Sequence, residues 1–246
     1  MVASPSTPPK TPIIYPSSDG QPVAETFDHL YALLTTLEVL KQYLKNRRAT
    51  VLGNQILYYA QGLPKIYVVP DIMVIFDVEP GGRDSYKLWE EGQAPRVIFE
   101  ITSRGTKDND LVFKKNLYAG LEVEEYWLFD PKNEWIEGQL QGYRLHEGTY
   151  FPILDNCSTA LQLRLEAEGK LIGFYREDNG EKLLIPEELS QALEEATSAK
   201  LQAEEQAEEE RQLAEQERQR AEQLEEQLKR YQERFGSLSE SDSPST

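Results

Sequence analysis

Apolar residues recur at helical spacing near the start of the chain, between about residues 24 and 46. The repeat consists of Phe27, Leu30, Tyr31, Leu34, Leu37, Leu40 and Leu44. It predicts an amphipathic helix that buries this face. Two short runs of strand character follow, at Thr50–Leu52 and Gln55–Tyr59, with Gly53-Asn54 between them. That dipeptide is typical of a two-residue turn and predicts a β-hairpin.

The apolar pattern then changes to longer strands separated by one further helix. Strands are predicted within residues 66–76, 96–102 and 125–130, and Pro70 predicts a strand joint because it lacks an N–H donor. A helix is predicted from Asp108 or Asn109, as its N-cap, to Ala119, with Gly120 as its C-terminal stop. Residues 135–153 predict a peripheral meander. The order of helix, strands, helix and strand predicts an α/β fold with a mixed sheet.

The last quarter of the chain has a different composition. Residues 187–235 are rich in Glu, Gln, Ala, Arg and Leu and contain neither Gly nor Pro, which predicts one long helix. A four-three spacing runs through this segment, but large apolar residues occupy only its two ends. Both a coiled coil and an isolated acidic helix, held by pairs such as Glu226–Arg230, remain open.

These patterns predict four segments. Residues 1–22 hold six of the fourteen prolines and predict a disordered arm. Residues 23–186 form the predicted folded domain, residues 187–235 the long helix or coiled coil, and residues 236–246 a disordered tail.

The composition of the chain argues against some classes of function. The net charge is −17; residues 187–234 hold 15 acidic and 7 basic residues, and residues 1–186 still carry −7. This acidity argues against a broad electrostatic grip on nucleic acid. A single cysteine excludes an internal disulfide and is typical of a reducing compartment. Since neither a signal peptide nor a membrane-spanning apolar run is visible, the prediction is a cytoplasmic protein without a membrane partner.

Two carboxylates within apolar strands are the candidate site. Asp71 and Glu100 lie in separate strand-like runs, and a buried carboxylate needs a partner. Together with a backbone carbonyl, here that of Ile101, they would suffice to bind Mg²⁺ or Mn²⁺. Lys114 follows on the predicted helix. The alternative for each is structural: Asp71 as a strand cap, Glu100 at a half-exposed edge, and Lys114 as a solvated lysine.

The choice of Lys114 over Lys115 follows from helix geometry. The two are about 100° apart around a helix, so only one can point inward. Lys114 shares a stripe with Leu111, Leu117 and Tyr118. We therefore expect Lys114, and not Lys115, to face the carboxylates.

The motifs resemble those of the Uma2 family, also called DUF820. They are Pro70-Asp71, the run from Glu100 to Ser103, Lys114 four residues before Tyr118, Gly120, and the run from Glu125 to Asp130. The family carries a provisional description as restriction endonucleases and is placed in the PD-(D/E)XK nuclease superfamily. The resemblance covers roughly residues 15–155, and the C-terminal helix resembles the coiled-coil tails of some members.

This resemblance implies a restriction-endonuclease-like core and a metal-dependent endonuclease. Asp71 and Glu100 would bind Mg²⁺, and Lys114 would assist a metal-activated water that hydrolyses DNA phosphodiester bonds. One departure matters: Thr102 stands where the superfamily lysine usually lies, two residues after the glutamate. The alternative is a catalytically inactive nuclease fold that acts as an interaction module, with homo-oligomers formed through residues 187–235. The choice between DNA and RNA stays open.

Overall fold

The computed structural model describes residues 13–18, 26–103 and 105–236. The predicted disordered arm and tail lie outside these residues, apart from residues 13–18 and Gly236. The chain divides into two compact units, the first ending at Glu187 and the second beginning at Glu188.

The first unit combines three helices, one π-helical segment and twelve strands among its described residues. In chain order these are α1 (Phe27–Leu44), β1 (Ala49–Gly53), β2 (Leu57–Tyr58), β3 (Tyr67–Val68), β4 (Ile72–Phe76), β5 (Tyr86–Lys87), α2 (Leu88–Glu91), β6 (Val97–Ile101), the π-helix (Asn109–Lys114), α3 (Lys115–Gly120), β7 (Glu125–Phe129), β8 (Leu140–His146), β9 (Thr149–Ile153), β10 (Cys157–Ser158), β11 (Leu163–Glu168) and β12 (Leu171–Arg176). The α/β class predicted from the sequence is confirmed.

A six-stranded sheet in the order β1-β4-β6-β7-β8-β9 forms the centre of the unit. Strands β6 and β7 are parallel, and every other neighbouring pair in this sheet is antiparallel. The π-helix and α3 connect the two parallel strands, so the predicted mixed sheet is present. Two three-stranded sheets, β10-β11-β12 and β3-β2-β5, complete the unit.

The predicted hairpin around Gly53-Asn54 is wrong. Strand β1 pairs with β4, whereas β2 pairs with β3 and β5. The N–H of Asn54 donates to the carbonyl of Asp71 at 2.9 Å, and Asn54 has a φ of 54°. The chain therefore leaves the sheet beside Asp71 instead of folding back on β1.

Each face of the central sheet has its own hydrophobic core. One core contains Leu40 of α1, Phe99 and Trp127 of the central sheet, and Phe174 of the β10-β11-β12 sheet. The other contains Ile98 of β6 together with Tyr118 of α3 and Tyr126 of β7. Both Tyr126 and Trp127 are fully buried. Because side chains alternate along a strand, Glu100 lies on the face of Ile98, toward the π-helix.

Helix α1 buries only part of the face that its leucines predicted, including Leu40 and Leu44. Phe27, Leu30 and Leu34 are 76%, 44% and 47% exposed. The buried residues are His29, Ala32, Leu33, Thr35, Thr36, Val39, Leu40 and Leu44. Apolar residues occupy more than one side of this helix, so periodicity alone did not define the packed side. The sheet contacts the side with smaller residues, which allow a close approach.

The long helix α4 spans Pro186–Phe235 and, from Glu188 onward, forms the described part of the second unit. Pro186 occupies its first position, where a missing N–H costs nothing. The pair Glu226–Arg230 predicted from the sequence is present at 2.7 Å. Within the part of the chain that the structure describes, no helix is long and apolar enough to cross a membrane.

Candidate metal and catalytic site

Glu100 is the fully buried centre of the candidate site. Lys114 Nζ donates to Glu100 Oε2 at 2.7 Å, and the hydroxyl of Tyr118 donates to Glu100 Oε1 at 2.6 Å. Each carboxylate oxygen therefore has one donor from the helical segment that follows β6. The structure thus brings together two of the predicted site residues, Glu100 and Lys114.

The segment that carries Lys114 begins as a π-helix and not as the predicted α-helix. The π-helix covers Asn109–Lys114, and α3 continues from Lys115 to Gly120. Asp108 makes no capping side-chain bond, and the left-handed residue after the helix is Glu122 and not Gly120. The wider turn is not visible in apolar periodicity, and π-helical turns occur frequently at functional sites.

Asp110 is a member of this cluster that the sequence analysis missed. Its side chain is buried, and its Oδ1 lies 3.2 Å from Lys114 Nζ. The hydroxyl of Tyr126 donates to the backbone carbonyl of Asp110 at 2.9 Å and fixes this turn against β7. Asp110, Lys114 and Tyr118 follow each other at four-residue steps, and this spacing could have indicated that Asp110 lies on the same side of the helix as Lys114.

Asp71 is joined to the same region through the backbone. The N–H of Ile101, the residue after Glu100, donates to Asp71 Oδ2 at 2.6 Å. His29 Nε2, from α1, lies 3.7 Å from the same oxygen. His29 is isolated in the sequence, and only the packing of α1 brings it here. Asp71 itself is 9% exposed and directly precedes β4.

Burial and crowding perturb the titration of the cluster. Burial raises the pKa of the Glu100 carboxyl to about 8, the charges of Asp71 and Asp110 add to this rise, and Lys114 opposes it. Burial also raises the pKa of Asp110. For Lys114, burial favours the neutral amine, but the carboxylates of Glu100 and Asp110 outweigh it and raise the pKa. The cluster therefore holds one ammonium among three carboxyl groups.

This donor set fits a hard divalent cation. Mg²⁺ prefers oxygen ligands, retains several waters and is commonly bound by one or two carboxylates. The excess of carboxyl groups over ammonium groups is a second argument, since a cation would offset it. In the described residues, no group of three or more His, Cys, Asp and Glu side chains is placed to hold a metal ion.

A second buried glutamate, Glu125 of β7, has a structural environment. Its carboxylate accepts from the guanidinium of Arg144 at 3.1 Å, the N–H of Thr159 at 2.9 Å and the hydroxyl of Ser158. These donors join the central sheet to the segment around β10. The carboxylate of Glu125 therefore accepts hydrogen bonds from several donors, whereas the carboxylate of Glu100 accepts one at each oxygen.

Comparisons with known proteins found a family model and a solved structure to which the chain is similar. The family model "Uma2: Putative restriction endonuclease" matches residues 7–168. A solved structure described as "a putative nuclease belonging to DUF820", from Anabaena variabilis ATCC 29413, is 18% identical, with 61% of this chain and 84% of that chain covered and a TM-score of 0.40. No curated protein matches the chain.

Proposed function

The chain belongs to the Uma2 family, and from this premise we propose that it is a divalent-metal-dependent endonuclease that hydrolyses phosphodiester bonds of DNA. The observation that carries the proposal is the placement of Lys114 between two buried carboxyl groups, Glu100 and Asp110. A solvated lysine would not be held there, because burying a charged amine costs free energy unless carboxylates offset it.

In this proposal, the carboxylates of Asp71 and Glu100 and the carbonyl of Ile101 hold Mg²⁺ or Mn²⁺. When bound, the cation stabilises charge on the phosphate and activates water for in-line attack. The hydrogen bond from Ile101 to Asp71 fixes the carboxylate of Asp71 beside β6, where Glu100 lies. The hydroxyl of Tyr118 fixes the orientation of the Glu100 carboxylate.

Lys114 supplies the positive charge of the site. Its ammonium donates to Glu100 and lies near Asp110, so its protonated form is favoured. In that form it can donate to a phosphate oxygen and stabilise negative charge that develops there. Asp110 acts on Lys114 and is therefore a positioning residue. The lysine on the helix takes the part of the superfamily lysine, whose usual position is Thr102.

Cleavage of supercoiled plasmid DNA by the full chain in 5–10 mM Mg²⁺ or Mn²⁺, at about 50 mM salt, tests this proposal. We expect nicking that EDTA abolishes, and a loss of about 100-fold or more in Asp71→Asn and Glu100→Gln. Asp77→Asn is the matched control, because Asp77 is exposed and Asn accepts its φ of 62° equally well. Wild-type protein without metal-dependent cleavage, or variants as active as wild type, would contradict the proposal.

A second candidate function is an interaction module without catalysis. The exposed leucines at both ends of α4 favour it: Leu193, Leu224 and Leu228 are 66%, 57% and 59% exposed. If this is the function, deletion of residues 187–246 abolishes partner binding or self-association, while Asp71→Asn has no effect in the same assays. The reverse pattern of effects favours the endonuclease.

A further inference from the structure

A cavity of about 350 Å³ lies between helix α1 and β1, which is an edge strand of the central sheet. Its volume is within the roughly 300–1,000 Å³ of typical ligand sites. Leu37 and Leu44 of α1 supply apolar lining, and all of β1 contributes to one side. Lys41 and Lys45, on the same helix, also line the cavity. This cavity, the β1 groove, is therefore large enough to hold a segment of a ligand.

The charge of the β1 groove is opposite to that of the chain. Lys41 and Lys45 are both exposed, and none of the described residues that line the groove is acidic. Residues 41–48 contain four basic residues and no acidic residue, although the chain carries a net charge of −17. Glu38 pairs with Lys41 at 3.1 Å, but exposed ion pairs of this kind contribute only about 0–1 kcal/mol. A phosphate can therefore replace Glu38 as the partner of Lys41.

The end of α1 does not reverse this charge. The helix ends at Leu44, with Lys45 as its C-cap. A helix C-terminus carries a partial charge of only about −0.5, which the ammonium groups of Lys41 and Lys45 outweigh. Arg48 adds no net charge, because it pairs with Glu79 at 3.3 Å. The sum at the groove is positive, so the groove attracts anions.

A glycine loop forms one side of the groove. Pro80, Gly81 and Gly82 line it, and all three are exposed. The hydroxyl of Thr50 donates to the carbonyl of Gly81 at 2.7 Å, and the guanidinium of Arg83 donates to the same oxygen at 2.7 Å. A Cβ at Gly81 or Gly82 would meet nothing within 4 Å. The loop is therefore held in place at Gly81, while the space beside its glycines is open to a ligand.

The groove ends beside the candidate metal site. Strand β1 ends at Gly53, and the next residue, Asn54, donates its N–H to the carbonyl of Asp71 at 2.9 Å. At about 3.3 Å per residue, the five residues of β1 span about 13 Å. Lys41 and Lys45 are one turn apart on the same side of α1, so their Cβ atoms are about 5–6 Å from each other. That spacing is comparable to the distance between neighbouring phosphates of one nucleic-acid strand.

We propose that the β1 groove binds the phosphate backbone of a nucleic-acid strand, with neighbouring phosphates at Lys41 and Lys45. The link to cleavage rests on the proposed endonuclease function: the same strand continues past Gly53 to Asp71 at the candidate metal site. Because the contacts are to phosphates and not to bases, the groove positions the strand without reading its sequence. An acidic peptide has the same charge, but the position of the groove beside Asp71 favours a nucleic-acid strand.

The test is the affinity of the full chain for a fluorescein-labelled DNA duplex of about 20 base pairs, measured by anisotropy in EDTA so that no cleavage occurs. At about 50 mM salt, we expect the double variant Lys41→Gln, Lys45→Gln to weaken binding about tenfold. The slope of log K against log salt should become shallower by about 2, since each lost phosphate contact removes about 0.9. The matched control is Lys65→Gln, Lys229→Gln: both lysines are exposed, neither lines the groove, and the net charge changes equally.

An equal loss in the control would overturn the proposal, as would a Lys41→Gln, Lys45→Gln variant that binds like wild type or a wild-type chain that does not bind the duplex. A labelled polyglutamate peptide of about the same charge is the second probe. If the chain binds it as tightly as the duplex, with the same loss in Lys41→Gln, Lys45→Gln, the occupant is an acidic peptide and the nucleic-acid proposal is wrong.

The failure of this proposal is distinguishable from that of the endonuclease. Wild-type protein that cleaves DNA with Mg²⁺, together with a Lys41→Gln, Lys45→Gln variant that binds and cleaves equally well, overturns the groove alone. The expected losses of binding without any metal-dependent cleavage support the groove and reject the endonuclease.

Discussion

Asp110, Lys114 and Tyr118 lie on successive turns of one helical segment, and the side chains of Lys114 and Tyr118 meet Glu100. Tyr118 and Asp110 have different roles in this arrangement, and the sequence motif alone does not distinguish these roles. Tyr118 holds the carboxylate of Glu100, whereas Asp110 holds the ammonium of Lys114. The site thus depends on contacts between side chains from β6 and from the helix that follows it.

Lys114→Met should reduce metal-dependent cleavage about 100-fold or more, because it removes the charge that, in the proposed mechanism, stabilises the phosphate. Cation binding should not weaken, since the variant removes a positive charge next to Glu100 and Asp110. Single-turnover cleavage rates and Mn²⁺ titrations measure the two effects separately. Lys115→Met is the matched control: Lys115 lies over the ring of Tyr143, 3.3 Å from its centre, and the variant should cleave like wild type. Equal losses in both variants would contradict the role of Lys114.

Glu125→Gln should destabilise the fold by about 2 kcal/mol, because it replaces a buried carboxylate that Arg144 and backbone donors surround. We expect a smaller loss of stability than for breaking a fully buried ion pair, because the Arg144 side chain is 37% exposed. Urea unfolding at 25 °C measures the loss. Glu124→Gln is the control, because Glu124 pairs with Arg96 at the surface and should cost less than about 1 kcal/mol. Similar midpoints for the two variants would contradict the structural role of Glu125.

At the residue scale, the sequence identified the carboxylates but not all of their partners. Asp71 and Glu100 are conspicuous because charged residues are rare in strand-like runs. Lys114 is conspicuous because it stands in a motif of the Uma2 family. His29 was not predictable, since it reaches Asp71 only through the packing of α1. Asp110 resembled an ordinary first-turn acidic residue, but it is buried within the π-helical segment, beside Lys114.

At the scale of elements, the central sheet determines where the site lies. The chain order of strands was largely readable from apolar runs and from Pro70, which stands between β3 and β4 as predicted. The pairing of β1 with β4 was not readable, because it joins residues that are more than 15 positions apart in the sequence, from Ala49 with Phe76 to Gly53 with Ile72. The buried side of α1 was also misjudged, since more than one of its sides is apolar.

Close packing between β7 and β8 gives a prediction for Gly142. A Cβ at Gly142 would lie 2.5 Å from Cζ3 of Trp127, a fully buried ring that cannot move aside. Gly142→Ala should therefore destabilise the fold by about 1–3 kcal/mol. Gly120→Ala is the control: a Cβ there meets nothing within 4 Å, and alanine should stabilise the end of α3 by about 0.5 kcal/mol. Thermal unfolding compares them, and a neutral Gly142→Ala would contradict this packing.

At the scale of the whole molecule, the chain joins an acidic folded unit to a long acidic helix. The net charge of −17 predicts weak non-specific attraction to DNA, because few basic groups are available to neutralise phosphates. The endonuclease proposed above would, at this charge, have to recognise a local feature of its substrate.

We expect the chain to self-associate through residues 187–235, because large apolar residues recur at four-three spacing at both ends of α4. The variant Leu193→Glu, Leu224→Glu, Leu228→Glu should then be monomeric by light scattering at micromolar concentration. The control variant Glu194→Gln, Glu225→Gln, Lys229→Gln changes neighbouring residues outside this seam and should keep the oligomer. A monomeric wild-type chain would instead favour the isolated helix held by pairs such as Glu226–Arg230.

The most direct test of the central claim, that Asp71 and Glu100 bind one divalent cation beside Lys114, is calorimetric titration of the full chain with Mn²⁺ at pH 8. The account predicts one saturable site in wild type, its loss in Asp71→Asn and Glu100→Gln, and its retention in Lys114→Met. Wild-type protein without a saturable site, or with a site that both carboxylate variants leave intact, would contradict it.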